Sequence, residues 1–322
     1  MNFNIEVNNR QIQVHRGETI LNALRSNGIK IPTLCNMKEL SPTGACRLCV
    51  VEVEGRERLV TSCSQLVEEG MRIKTHSSRV VKARKTLVEL LLANHPDDCL
   101  YCERNGSCEL QSLADELHVR ERHTQNKTFT QKLDLSSHSI IRDPSKCVLC
   151  GRCVRICDEL QSVATFEFVK RGCNMYIGTA MSRDLTFSNC IACGQCVMSC
   201  PTGALSERSN VDEVIDALNN PNLIPVAQVA PSISVSLATE LGLKPGRDLN
   251  GALNAILRKI GFKYIFDSAA AADIAVMEIA AELLKRREKG QNRPLISSCC
   301  PAWVKFMEQY YPEHLSWLST TK

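Results

Sequence analysis

The sequence has no apolar run long enough to cross a bilayer. Its longest, around Leu223–Val229, is broken by Pro225, whereas a spanning helix needs about 20 apolar residues. Net charge is only +4 over 322 residues, so the strong basic excess of a nucleic-acid binder is missing. The mild surplus of Lys and Arg between Arg120 and Lys146 suits a solvated surface or a docking face for an acidic redox partner. Aromatic residues are few, at 5%, although the apolar fraction is ordinary and sufficient for real cores. No Gly-x-Gly-x-x-Gly follows a strand, and Lys244-Pro-Gly-Arg is not a phosphate loop. The opening MNFNIEVNNR is polar and alternating, unlike a secretory signal or a transit peptide. The expectation is a soluble, cytoplasmic protein with no membrane span and no nucleic-acid partner.

What the sequence has in abundance is cysteine, 18 in all. In a reducing compartment so many thiols read as metal ligands rather than disulfides. The length suggests two or three domains, and the cysteines come in groups that divide the chain into 1–80, 81–125, 140–208 and 210–322. Period-two alternation over Asn4–Val7 and Gln11–Val14, split by Asn8-Asn9-Arg10, predicts a β-hairpin. A helix over Thr19–Asn27 stops at Gly28. Strands are expected at Val50–Val53 and Leu59–Thr61, and an amphipathic helix at Val80–Ala93. Residues 109–139 are polar, hold no cysteine and are expected to wrap the surface. After Asn210, strand-like runs (Ile224–Val229, Tyr264–Phe266, Pro294–Ser297) alternate with helical ones (Ile233–Leu241, Leu249–Ile260, Ala271–Lys289, Ala302–Tyr311). That alternation predicts α/β units on a parallel sheet.

Cys35, Cys46, Cys49 and Cys63 have the spacing C-x10-C-x2-C-x13-C. Four soft thiolates suit zinc or an iron–sulfur cluster. Zinc is the alternative, but zinc sites usually use two close Cys pairs and only one is present. Gly44, just before Cys46, lets backbone N–H groups turn toward a sulfide-bearing cluster. The hairpin-plus-helix start fits a β-grasp, ferredoxin-like 2Fe–2S domain. In the second group, His95, Cys99, Cys102 and Cys108 put one imidazole and three thiolates in a short stretch. By itself this set is ambiguous, because three Cys and one His also make a common structural zinc site. As a 4Fe–4S cluster with one neutral ligand, it would have a potential above that of an all-Cys cluster.

The third group is the most specific. Cys147-x2-Cys150-x2-Cys153-x3-Cys157 and Cys190-x2-Cys193-x2-Cys196-x3-Cys200-Pro201 repeat each other, as CVLCGRCVRIC and CIACGQCVMSC. In such paired runs the fourth Cys of each ligates the other cluster. Cys147, Cys150, Cys153 and Cys200 are expected to hold one 4Fe–4S cluster, and Cys190, Cys193, Cys196 and Cys157 the second. Cys173 falls outside the pattern and reads as a buried thiol. One 2Fe–2S and three 4Fe–4S clusters then use fifteen Cys and one His.

This order of sites, followed by an α/β region, resembles the iron-only, or [FeFe], hydrogenases with a full set of accessory clusters. It also resembles the large iron–sulfur subunit of respiratory complex I, which shares the first two modules. Gln228-Val-Ala-Pro-Ser-Ile, Phe266-Asp-Ser, Ala272-Asp-Ile, Met277-Glu-Ile and Ser297-Ser-Cys-Cys-Pro-Ala-Trp303 are similar to the hydrogenase catalytic domain. The last of these matches its first H-cluster motif, with Ala302 where glycine is usual. The fold class implied is a multidomain α+β and α/β chain: a β-grasp ferredoxin domain, a one-His/three-Cys module, a paired 4Fe–4S ferredoxin-like module and a partial α/β hydrogenase-like domain.

Departures from the family qualify the activity that the resemblance implies. Only Cys300 matches a ligand of the family's active-site cubane, and it is read as a vestigial ligand. The resemblance places Cys299, Glu282 and Ser319 on a proton path, but Ile279 stands where that path needs a carboxylate and cannot relay a proton. A truncated active hydrogenase and a subunit without a complete H-cluster are the two readings. Ile279 favours the second, and no catalytic residue is then expected. The resemblance implies an electron-transfer subunit of an NAD(P)-linked, flavin-based electron-bifurcating oxidoreductase. Flavin and NAD(P) would lie on partner chains, a small 2Fe–2S subunit would be a further partner, and ferredoxin would be a carrier. A complex I-type subunit is a third reading, opposed by the SSCCPAW motif.

Overall fold

The computed structural model describes residues 2–121, 132–244, 246–290 and 293–321. Residues 122–131 of the cysteine-free stretch, Pro245 of the Lys244–Arg247 segment and Lys322 lie outside the described residues. The chain forms two compact units, Met1–Arg208 and Ser209–Lys322.

In the first unit, strands β1 (Asn2–Val7) and β2 (Arg10–His15) pair antiparallel with Ile5 opposite Ile12. Asn8 and Asn9 turn between them at φ +49° and +65°, the left-handed conformation that suits a tight hairpin and that Asn tolerates. Helix α1 (Ile20–Ser26) starts at Thr19, whose side chain accepts the Asn22 N–H. Strands β3 (Val50–Val53), β4 (Val60–Thr61) and β5 (Arg72–Lys74) complete a sheet of order β2-β1-β5-β3-β4, with β5 parallel to β1. Ile5, Val7, Val14, Leu24, Val51 and Ile73 pack with Cys49 and Cys63 in one core; each fully buried aliphatic side chain contributes about 1.5–3 kcal/mol. The sheet thus places two of the candidate ligands in its hydrophobic interior.

Helix α2 (Ser78–Ala93) is capped by Ser77. Helix α3 (Glu109–Glu116) departs from the expected surface wrap of 109–139. Leu110 and Leu113 are buried, with Val119, against Leu34, Leu48 and Val88. Three-residue spacing puts both leucines on one helical face, a signal too short to stand out in a polar stretch.

Beyond α3, β6 (Ile140–Arg142) pairs antiparallel with β9 (Leu205–Glu207). That ladder brings the Cys147 and Cys200 segments side by side. Helix α4 (Arg152–Arg155) runs into a π-helical turn at Ile156–Leu160, and α5 (Gln195–Ser199) is its counterpart in the second run. Strands β7 (Phe166–Val169) and β8 (Tyr176–Thr179) form a hairpin. Cys173 lies in the turn joining them and is exposed, contrary to the expected buried thiol. Its neighbours Arg171, Gly172 and Asn174 have no apolar side chain to draw it inward.

Asp134 anchors this module. Its carboxylate accepts from the Leu185 N–H at 3.1 Å and from Ser136, and pairs with Arg142 at 3.4 Å. Burial pushes its pKa up, but the hydrogen bonds from Ser136 and Leu185 and the Arg142 charge outweigh this and lower it below the ordinary 3.8. A depressed folded-state value stabilises above the unfolded value, and that contribution is lost as pH falls through the folded one. Asp134→Asn is therefore expected to lower the thermal midpoint at pH 7, with a difference from wild type that shrinks on acidification below 3.8. A cost of about 3 kcal/mol is expected, as for one lost partner of a buried pair. Unfolding followed by circular dichroism across pH would check it, and a constant difference would contradict it.

In the second unit, α6 (Val211–Asn219) precedes β10 (Val226–Val229), α7 (Pro231–Glu240), α8 (Asn250–Ile260) and β11 (Tyr264–Asp267). The two strands pair parallel, Val226 opposite Tyr264. Helices α9 (Ser268–Glu288) and α10 (Pro301–Tyr310) follow. The expected strand at Pro294–Ser297 reduces to one bridge, Ile296 with Leu318. Pro294 has no N–H to give a ladder. The link is made instead by the Ile296 N–H to the Trp317 carbonyl at 2.8 Å and the Ser319 N–H to the Ile296 carbonyl at 2.7 Å. The architecture is mixed α and β. Among the described residues, no helix is long and apolar enough to cross a membrane.

Candidate metal centres

The loop after α1 and the β3–β4 region gather the first group. Cys35, Cys49 and Cys63 are buried and Cys46 is half-buried. Their thiols are hydrogen-bonded in series, Cys46 with Cys35, Cys35 with Cys63, and Cys63 with Cys49. The hydrogen bond to Cys63 holds Cys49 down to about 6. Those to Cys46 and Cys63 hold Cys35 far below the usual thiol range. The thiolate is the metal-binding form, and iron would replace the shared protons. Gly44 at φ +63° and Arg47 at φ +60° fold the loop back. Backbone N–H groups then meet sulfur: Leu34 reaches Cys46 Sγ at 3.4 Å, and Leu48 donates to the same sulfur. Arg84, on α2 and 2% exposed, donates to the Leu48 and Val50 carbonyls at 3.1 and 2.8 Å. It fixes the Cys49 strand to the helix that leads to His95.

The second group surrounds a cavity of about 210 Å³, whose lining includes His95, Cys99, Cys102 and Cys108. That is room for far more than one water, at about 30 Å³ each. Cys108 stands at the start of α3, where the Leu110 and Gln111 N–H groups point at its sulfur while burial pushes its thiol pKa up. His95 Nδ1 is shielded from solvent. Gly203 closes the cavity wall, and a Cβ there would lie 2.8 Å from Cys102 Sγ. Lys146 Nζ stands 3.6 Å from Asp98 on the same rim.

In the third group, the linings sort the eight cysteines into two sets of four. Cys147, Cys150, Cys153 and Cys200 line one hollow. Cys157, Cys190, Cys193 and Cys196 line the other. The repeat seen in the sequence is also a backbone repeat. Leu149 and Ala192 sit at φ +54° and +55°, Gly151 and Gly194 at +69° and +75°. A bulky residue in this region is strained. Here it aims the Leu149 N–H at Cys147 Sγ and the Ala192 N–H at Cys190 Sγ, both at 3.4 Å. The Thr165 N–H reaches Cys157 Sγ at 3.3 Å. Burial pushes the Cys147 thiol up to about 11 and those of Cys150 and Cys196 to about 12. Neutral thiols in such pockets would exchange their protons for iron, whose bound sulfurs the N–H groups then meet. Among the described residues, no group of three or more His, Cys, Asp or Glu is gathered for a single metal ion. The fit to iron–sulfur clusters rests on the soft donor set, the linings and the N–H groups aimed at sulfur.

In the C-terminal unit, Cys299 and Cys300 are exposed, Cys300 at the start of α10. Of the residues that the resemblance assigns to a proton path, Glu282 and Ser319 meet: Ser319 Oγ donates to the Glu282 carboxylate at 2.7 Å, and Arg286 donates to it at 2.6 Å. The Ser319 bond, aided by Arg286 and opposed by burial, holds the carboxyl below its usual range. Ile279 lies half-buried on the same helix.

Residues 1–78 match a 2Fe-2S iron-sulfur cluster binding domain, and 84–123 the NADH-ubiquinone oxidoreductase-G iron-sulfur binding region. Residues 185–206 match a 4Fe-4S binding domain, and 224–322 the iron only hydrogenase large subunit, C-terminal domain. Over 99% of its length the chain is 41% identical to the NADP-reducing hydrogenase subunit HndD of Solidesulfovibrio fructosivorans. The chain is homologous to iron–sulfur subunits of hydrogenases, and its residues 224–322 to the iron-only hydrogenase domain. It is 37% identical, over 99% of its length, to iron hydrogenase 1 of Clostridium pasteurianum, and it spans 56% of each of these two relatives. A solved chain of an NAD+-reducing [NiFe]-hydrogenase, 30% identical, superposes with a TM-score of 0.61 over 64% of this chain and 88% of that one. This iron–sulfur subunit thus carries 2Fe–2S and 4Fe–4S types of site. Four residues that shape them escaped the ligand pattern, namely Arg84, Arg152, Arg155 and Gly203. A signal existed for two: Arg152 and Arg155 occupy positions filled by Gln195 and Met198 in the second copy of the repeat.

Proposed function

We propose that this chain is the electron-relay subunit of a cytoplasmic, NAD(P)-linked, flavin-based electron-bifurcating oxidoreductase, and that it holds one 2Fe–2S and three 4Fe–4S clusters. The ligands are Cys35, Cys46, Cys49 and Cys63 on a β-grasp ferredoxin-like domain, then His95, Cys99, Cys102 and Cys108. The paired ferredoxin-like module uses Cys147, Cys150, Cys153 and Cys200 for one cluster and Cys157, Cys190, Cys193 and Cys196 for the other. When bound, the clusters supply one-electron carriers. The chain's own residues bury them, aim N–H groups at the ligand sulfurs and hold the modules against one another. A flavin- and NAD(P)-binding subunit and a small 2Fe–2S subunit are the partners, and ferredoxin is the carrier. The observation that carries this reading is the sorting of the third group's eight cysteines between two separate hollows of the same unit as the other ligand sets.

A second reading, hydrogen chemistry at the C-terminal unit, draws on the match of 224–322 to the hydrogenase domain and on the Glu282–Ser319 hydrogen bond. Both are tested on the full chain, purified anaerobically, with iron counted on the chain separated from its partners and activity read on its complex. The first predicts about 14 iron atoms per chain and NAD(P)H-dependent ferredoxin reduction without hydrogen uptake. Stoichiometric zinc with little iron overturns it. Hydrogen uptake, with iron beyond the four sites, establishes the second.

A further inference from the structure

Helix α4 carries two arginines that its counterpart in the internal repeat lacks. Arg152 is 6% exposed and Arg155 is 7% exposed. At the equivalent positions, Gln195 is half-buried and Met198 is 78% exposed. A lone arginine is almost never buried without a partner, and each of these reaches a different neighbouring ligand segment. Arg152 donates to both carboxylate oxygens of Glu109, one at 2.8 Å, and to the Ser199 carbonyl at 3.4 Å. Glu109 directly follows Cys108, and its own N–H donates to the Pro201 carbonyl at 3.0 Å, beside Cys200. Arg155 donates to the Cys35 and Ser41 carbonyls and to the Gly151 carbonyl, the last at 3.3 Å. The Ser41 N–H in turn donates to Glu159 at 2.9 Å, and Met37 and Leu40 pack into the core around Cys153 and Cys196.

The two side chains leave one helix, three residues apart. One holds the Cys108 and Cys200 segments, the other the loop of Cys35. Planar guanidinium forks suit such multiple fixed acceptors, and lysine could not replace them bond for bond. We propose that Arg152 and Arg155 are positioning residues that make the Cys147–Cys150–Cys153–Cys200 site the junction of the three modules, fixing the His95 and Cys35 sites at set distances from it. The second run, without these arginines, is not such a junction. This rests on the proposed cluster assignment.

The test uses the full-length holoprotein with the substitutions that the repeat itself supplies, Arg155→Met and Arg152→Gln. Iron content is measured first. Wild type without about 14 iron atoms refutes the cluster assignment, and only then is this inference undercut from below. With wild type complete, redox titration followed by EPR is the readout. Arg155→Met is expected to weaken the magnetic coupling between the 2Fe–2S signal and the neighbouring 4Fe–4S signal. Arg152→Gln is expected to weaken the coupling to the His95-site signal instead. Electron equilibration across the affected junction, by freeze-quench after mixing with dithionite, should slow by about tenfold or more, as when ångström-scale positioning is lost. If either variant loses iron, Arg155→Lys and Glu109→Gln replace them, the first keeping charge without the fork and the second keeping shape without charge. Unchanged couplings in iron-replete variants overturn the proposal, as does an equal effect of both arginines on both couplings.

Discussion

Serine at Cys200 is expected to delete the same cluster as serine at Cys153, although Cys200 closes the other cysteine run. Serine at Cys157 should delete the one lost on changing Cys196. The expectation follows from the linings, which put Cys200 with Cys147, Cys150 and Cys153, and Cys157 with Cys190, Cys193 and Cys196. The β6–β9 ladder explains why the crossing is favourable. Arg142 lies opposite Leu205, so the chain just before Cys147 is bonded to the chain just after Cys200. A serine oxygen is a poor soft-metal ligand. Each variant should lose about four of about fourteen iron atoms, with one EPR signal absent from Cys153→Ser and Cys200→Ser alike. Binding energy at such sites is also folding energy, and the hydroxyl left in a buried pocket adds about 1–3 kcal/mol of cost. The thermal midpoint of this module should therefore drop along with the iron. If Cys200→Ser instead abolishes the signal lost in Cys196→Ser, the crossed assignment is wrong.

Alanine or valine at Gly203 is expected to empty the His95 site while leaving all of its ligands in place. The glycine's backbone is not in the left-handed region, so space rather than conformation demands it. A Cβ would approach Cys102 Sγ to 2.8 Å and Lys146 Cδ to 3.4 Å. The lysine stem can yield, but a sulfur held on a metal cannot. Overpacking costs about 1–3 kcal/mol in an adaptable core, and here the strain falls on one ligand. Gly203→Val should lose about four iron atoms and the EPR signal of the His95 site, with the other clusters retained. Gly203→Ala should show a partial loss. Gly251→Ala, where nothing lies within 4 Å of the added carbon, serves as the control and should keep full iron. Retention of the His95-site signal in Gly203→Val would show that Cys102 is not held where this geometry puts it.

Local elements were legible in the sequence where a short pattern suffices. The Asn8-Asn9 hairpin, the helical runs at Thr19–Asn27 and Val80–Ala93 and the parallel pairing of the Ile224–Val229 and Tyr264–Phe266 runs follow from alternation and periodicity. The failures share a cause. Strand β5 contains only three residues with one apolar side chain, and it exists because β1 and β3 offer ladder partners on both sides. The strand expected at Pro294–Ser297 has no such partners and shrinks to a bridge. Cys173, outside the ligand pattern, reads as a buried thiol, but a hairpin turn carries it to the surface.

By itself the sequence determined the chemistry: soft donors, their grouping and the internal repeat. Ligand type and short spacing are properties of contiguous residues, so they need no knowledge of the fold. Only the tertiary structure decided what surrounds those donors. Arg84, Arg152 and Arg155 are ordinary surface residues on composition, yet each is buried because distant carbonyls and one carboxylate converge on it. Gly203 matters only because Cys102, far away in the chain, lies against it. Those contacts join segments that the sequence keeps apart, and no local pattern encodes the distance between them.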